Sequence, residues 1–259
     1  MSTHPYDKIL ATKEYALSLV DQYLEIEPWD TLMNNIGGYY MTPDDLKDIL
    51  NERYIENYFE FRERTCIVIG NSGSVIDNKR GTEIDDFDIV VRNNLARYEG
   101  FEKYVGNRTD IRFLSHKTFG NFLDKKEFSS YDKDYIPTSK KHHLMIRSVG
   151  NVGSVVPGFL FNIYGGDNVF SVLDLNYNYY LDRLASEQHF CTVGFSSVLT
   201  MLDLGCEVSV YGMDFYDPAK KFHYFEENSE RVLNSHNHSI KQEKDYINNL
   251  IEIGKIKVL

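Results

Sequence analysis

Residues 66–73 read Cys-Ile-Val-Ile-Gly-Asn-Ser-Gly. A short apolar, β-branched run closed by glycine is the pattern of a buried strand that ends in a tight turn. Working outward, the same texture recurs. Asp88-Ile89-Val90-Val91, Ile111 to Leu114, His143 to Ile146 and Glu207 to Gly212 are further strand candidates. Phe195 to Leu204 reads as a helix stopped by Gly205, and Asp245 to Ile253 as a helix ended by Gly254, with Lys255 to Leu259 as a closing strand. Strands alternating with helices predict an α/β fold with a mostly parallel sheet flanked by helices. Ligands then bind at the carboxyl ends of the strands. Residues 115–190 give no order from pattern alone.

Ahead of this region, residues 1–60 read as a helical segment packed on the core, and 61–259 as the main domain. Ile9, Leu10, Ala16, Leu17, Val20, Tyr23 and Leu24 fall at helical steps. Thr42 and Pro43 signal a second helix, with Asp44 and Asp45 suiting its positive end and Leu46, Ile49, Leu50, Ile55, Tyr58 and Phe59 forming an apolar stripe. The net charge of −11 repels nucleic acid backbones, which excludes a general DNA or RNA binder. No stretch approaches the roughly 18 apolar residues of a membrane-spanning helix. The start of the chain is acidic (Asp7, Glu14, Asp21), unlike a signal peptide. The expected location is therefore cytoplasmic or peripheral at a membrane.

Candidate chemistry sits at the turns. Gly70-Asn71-Ser72-Gly73 follows the first strand; small residues there let a backbone approach a ligand and expose amides to a phosphate. It lacks the Lys-Ser/Thr of a P-loop and the third glycine of a dinucleotide fingerprint, which disfavours an oxidoreductase. Asn94, past the second strand, can read a base or ribose. Thr192-Val193-Gly194 opens a helix, where a hydroxyl and free amides suit phosphate, or where Thr192 is simply a cap. His223 and His238 can move protons near neutral pH, and Glu243 follows His238 by five residues. His223, His236 and His238 lack any metal-ligand spacing, and Asp85-Asp86 with Asp88 is only superficially a metal motif, so no metal site is expected.

In their order, these fragments resemble the sialylmotifs of the eukaryotic-type sialyltransferases. Cys66 to Gly73, Glu83-Ile84-Asp85, Asp88 to Asn94 and Gly100-Phe101-Glu102 through Val105-Gly106 to Arg108-Thr109 are similar to the long motif. Thr192 to Gly194 through Cys206 to Gly212 resembles the short motif, His223 to Glu226 the third, and His238 with Glu243 the very short one. Departures exist: the family's Ser-Thr-Gly is Thr192-Val193-Gly194, and Cys191 stands where proline is frequent.

The resemblance implies a single Rossmann-like glycosyltransferase domain, a GT-A-like variant. It implies an inverting, metal-independent transfer of sialic acid from CMP-sialic acid to a glycan or glycolipid hydroxyl. Asn71, Ser72, Gly73, Asn94 and Thr192–Gly194 would hold CMP, His238 would be the base, His223 would contact the phosphate, and Glu243 would orient His238. Related motifs occur in Kdo transferases that use CMP-Kdo; a non-catalytic CMP-binding protein is the remaining alternative. Were the chain part of a longer one, a Golgi-lumenal place would follow. The family's disulfide maps to Cys66 and Cys206; closing a loop of about 140 residues, it would contribute roughly 5 kcal/mol in the chain-entropy model, while in a reducing compartment both would be packed thiols.

Overall fold

A computed structural model describes residues 8–36, 41–56, 61–94, 96–115, 143–147, 155–160, 168–215, 221–226 and 238–259. The chain divides into two compact units, one of Tyr58–Phe113 with Tyr179–Leu259, the other of Lys8–Asn57 with Leu114–Asn178. Every pairing between the described strands is parallel, the α/β architecture that the alternating pattern predicts.

In the first unit β1 (Thr65–Ile69) lies between β2 (Ile89–Asn93) and β6 (Glu207–Tyr211). β3 (Ile111–Ser115) flanks β2, and β7 (Ile256–Val258) flanks β6. Cys66 to Ile69 are all buried, as are Ile89 to Asn93, so both central strands carry continuous apolar or tethered side chains rather than an alternation. Short helices α4 (Gly81–Asp85) and α5 (Glu102–Val105) lie between β1 and β3 in the chain. Helix α7 (Val193–Asp203) packs on β1, β2 and β6, and α8 (Ile240–Glu252) on β7.

Helix α7 leads into β6 through the short turn Leu204–Cys206, with Gly205 at φ +92°. Its carboxyl end therefore lies at the amino end of β6. Its amino end points back to where the strands finish, which puts Thr192 at the same end of the sheet as the loop after β1. Cys66 and Cys206, at the opposite, amino end of these strands, are buried thiols. Burial, reinforced by a hydrogen bond with Cys206, pushes the Cys66 thiol well above its ordinary range.

The second unit contains α1 (Lys13–Ile26), α2 (Trp29–Ile36), α3 (Pro43–Arg53), β4 (His143–Arg147) and β5 (Val169–Val172), the two strands paired in parallel. α6 (Leu175–Ala185) spans the division between the units. Thr42 and Asp45 form a reciprocal capping box ahead of α3, with Pro43 in the first turn as its sequence indicates. The stripe read through Phe59 stops sooner: α3 ends at Arg53, and Tyr54 turns away to bridge Phe170, its hydroxyl donating to the Ala11 carbonyl. Tyr58 and Phe59 lie outside the described residues. On α1 the buried stripe is Ala16, Leu19, Val20 and Tyr23, while Leu24 points outward. Helix α2 and strand β5 escaped the sequence reading.

His143 is buried in β4, its Nε2 2.8 Å from Ser171 Oγ. Ser171 gives its own proton to the Ile55 carbonyl, so Nε2–H is the donor to Oγ. Burial depresses the His143 pKa from 6.5 to about 4. The folded state thus refuses a proton that the unfolded chain accepts. The stability is whole above pH 6.5 and drains as pH falls through about 4. Urea unfolding at pH 7.5 and pH 4 is expected to show about 3 kcal/mol of loss from this residue. His143→Gln, which keeps a donor to Ser171, is expected to remove that part of the acid dependence.

Candidate active site

Two amides of the loop after β1, those of its glycines, are engaged by the protein itself. Gly70 N–H donates to Tyr211 O (2.7 Å) and Gly73 N–H to Lys221 O (2.8 Å). Ser72 Oγ donates to Asp214, which also accepts from Ser74 Oγ at 2.7 Å. Gly70 is small because a Cβ there would meet Gly212 O at 2.1 Å, and Gly73 because one would meet Lys221 Cβ at 2.5 Å. Packing explains both glycines, and Ser72 serves Asp214. What the loop offers a ligand is Asn71. Its Nδ2 reaches Asn93 O at 3.5 Å, while its buried Oδ1 has no partner among the described residues.

Asn93, which sequence reasoning passed over in favour of its neighbour, has the same character. Nδ2 donates to Ile69 O (3.2 Å), and the buried Oδ1 is unpartnered. Asn94 lies just past β2 at φ +50°, a left-handed backbone that asparagine tolerates. Its N–H donates to Phe113 O and its carbonyl accepts from Arg112.

The segment 221–226 is bracketed onto this loop: Gly73 binds Lys221 O, and Tyr224 N–H donates to Asn71 O at 3.0 Å. His223 lies between the two tethers, its ring stacked on Phe225 (5.1 Å between centroids, 13° between planes). Its Nδ1 is 2.9 Å from Glu226 Oε1. Neither atom has a hydrogen-bond partner of acceptable alignment. The contact is thus an ion pair that operates when the ring is protonated. Tyr224 is buried against Phe101, and burial pushes its hydroxyl up to about 12.

Helix α7 supplies the other wall. Thr192 is its cap: Oγ1 accepts from Phe195 N–H at 3.1 Å. The amides of Val193 and Gly194 have no partner among the described residues, so the start of the helix presents free N–H groups. A Cβ on Gly194 would meet nothing closer than Met213 Cε at 3.8 Å. Packing does not demand this glycine, and it costs helix stability; it keeps the space before the helix clear. Met213 joins the two walls, since its Cγ lies 3.1 Å from the corresponding Cβ position on Gly70.

His238 Nδ1 is 2.8 Å from the Phe190 carbonyl. A carbonyl only accepts, so Nδ1 carries the proton and Nε2 of the neutral ring keeps its lone pair. Glu243 is fully buried, and its carboxylate accepts from Thr192 N–H (2.8 Å) and Thr192 Oγ1 (2.6 Å). These two bonds tie Glu243 to the cap of α7. His236 lies outside the described residues, and no cluster of metal-ligating side chains occurs among the described ones.

Much of the long motif is scaffold. Arg92 is fully buried, and its guanidinium donates to the carbonyls of Val105, Gly106 and Arg108 and to Thr109 Oγ1, within 5.3 Å of the Tyr98 ring. Asp85 accepts from the amides of Asn107 and Arg108, and Arg108 returns to the carbonyls of Asp85, Phe87 and Asp88. Gly106 sits at φ +72°, where a Cβ would also strike Asp85 Oδ1 at 2.5 Å.

The family model of glycosyltransferase family 29 (sialyltransferase) matches residues 21–149. This chain belongs to that family. A rat β-galactoside α-2,3-sialyltransferase is 27% identical over 73% of the chain and 55% of its own length. A human α-2,6-sialyltransferase is 29% identical over 74% of the chain and 66% of its own length. A rice sialyltransferase-like protein is 41% identical over 71 residues. The chain spans about half the length of the first of these relatives. The crystal structure of a mammalian sialyltransferase superposes with a TM-score of 0.62 at 20% identity, covering 97% of this chain and 89% of that one, a likeness of fold. No described helix is long and apolar enough to cross a membrane.

Arg92→Leu is expected to cost about 3 kcal/mol or more in urea unfolding, because it leaves three carbonyls without their donor. Arg92→Lys is expected to recover only part, since a single ammonium cannot reproduce the planar fork.

Proposed function

We propose that the chain transfers an acidic sugar from a CMP-activated donor to a hydroxyl of a glycan or glycolipid acceptor, with inversion. Membership of family 29 supports sugar transfer, and the relatives are named for CMP-N-acetylneuraminate, so sialic acid is the first-choice donor sugar. CMP-Kdo shares the same leaving group and is the comparison donor.

The observation that carries the reading is the arrangement of His238. Its Nδ1–H is committed to Phe190 O, which leaves Nε2 to accept a proton. The acceptor hydroxyl attacks the anomeric carbon, its oxygen forms the new glycosidic bond and its proton passes to His238 Nε2, while the bond from that carbon to the CMP phosphate oxygen breaks. CMP leaves as an anion. The free Val193 and Gly194 amides and His223 would stabilise its phosphate, and the unpartnered oxygens of Asn71 and Asn93 would accept from the nucleoside hydroxyls or amine. Preorganised donors at a developing anion are typically worth about 3–4 kcal/mol each, which suits departure without a divalent ion.

His238→Ala is expected to lower transfer from CMP-sialic acid in EDTA by about 100-fold or more, while the CMP dissociation constant stays within about twofold. Undiminished transfer would remove His238 from the role of base. Gly194→Ala is expected to hold or raise stability by up to about 1 kcal/mol while weakening CMP binding. Unchanged CMP affinity in calorimetry would take the start of α7 out of the site.

A further inference from the structure

We infer that Glu243 is a positioning residue that fixes the ligand-binding start of α7 and holds it in register with His238. The inference rests on the functional reading above, because that reading gives the start of α7 its ligand.

Burying a carboxylate is costly, and replacing such a group with apolar packing is often no less stable. A fully buried Glu243 therefore needs a reason other than stability. Its described bonds go to one residue, 51 positions away: Thr192 N–H at 2.8 Å and Thr192 Oγ1 at 2.6 Å. Thr192 Oγ1 in turn accepts from Phe195 N–H. With its own proton held by Glu243, the hydroxyl keeps its lone pairs for the helix. The amides of Val193 and Gly194, next in line, stay aimed outward.

The spacing of the two motifs follows from this. His238 precedes α8 and binds Phe190 O, and Glu243 lies in the first turn of α8 and binds Thr192. One segment thus grips a second at two points, Phe190 and Thr192, two residues apart just ahead of α7. Five residues separate His238 from Glu243 because the chain must enter the helix and complete about one turn between the two grips. The base and the amides that receive the leaving group are thereby fixed relative to each other.

The test is Glu243→Gln, which keeps shape and one acceptor but turns the bond to Thr192 Oγ1 around. Amide hydrogen exchange at 192–195 is expected to accelerate at least tenfold in the unliganded protein, with β1 exchanging at its ordinary rate. The CMP dissociation constant is expected to rise about tenfold, while the acid limb of the pH–rate profile keeps its position. Unchanged exchange at 192–195 would overturn the clamp whatever the protein binds. A shifted acid limb with undisturbed CMP affinity would overturn it in favour of a direct action on His238. Should Glu243→Gln fail to fold, Thr192→Val breaks the same bond from the other side and Thr192→Ser restores the hydroxyl. Exchange and CMP affinity are expected to be impaired in the first and to stay within about twofold in the second; equal behaviour of the two would overturn the clamp. Accelerated exchange in a protein that never binds CMP would overturn the functional reading and leave the clamp standing.

Discussion

Parallel pairing of β1 with both β2 and β6 is the constraint on which the first unit depends. It brings the carboxyl ends of three strands together, so the turns after Ile69, Asn93 and Tyr211 leave from one end of the sheet. It also fixes α7, which must run back along the sheet to enter β6 and so begins at that same end. A Cβ on Gly70 would strike Gly212 O and one on Gly212 would strike Val75 Cγ1, so neither can carry a side chain, and Gly212 further requires φ +68°. Met213 then fills the space between the loop of β1 and the start of α7.

Chemistry and scaffolding divide the motif residues differently from their order in the chain. Arg92, Asp85, Gly106 and Arg108 build a hydrogen-bonded staple between β2, α4 and α5, in which backbone carbonyls accept from Nε and Nη2 of the buried Arg92 guanidinium. Removing one member leaves charges or carbonyls unpaired, which is why such residues tolerate little change without touching a ligand. Among the described residues, the oxygens of Asn71 and Asn93 and the amides of Val193 and Gly194 are left open, and His238 carries its proton on Nδ1. These are the atoms on which a nucleotide and a proton transfer can draw.

The elements legible in the sequence were those with local signals. The β-branched runs at 66–69 and 207–211, the glycine at 205 that stops α7, and the Thr42 cap needed only neighbouring residues to be read. Long-range partners were not legible. Nothing near Gly73 announces Lys221, nothing near Ser72 announces Asp214, and the pairing of Glu243 with Thr192 crosses 51 residues. The glycine loop looked like an anion cradle because its composition matches one, yet the amides of its two glycines are spent on β6 and on the segment after it. Asn93 escaped because composition cannot tell which of two adjacent asparagines turns its amide toward β1. Helix α2 and strand β5 escaped because they are short, eight and four residues, too few to display a period.

The most direct test of the central claim is a hydrogen-exchange footprint of CMP on the purified protein in EDTA. Slowed exchange at 192–195 and around Asn71, with the remainder of the sheet unaffected, is the result expected if the strand ends and the start of α7 form the nucleotide site. Binding of CMP with protection elsewhere, or no binding at all, would contradict it.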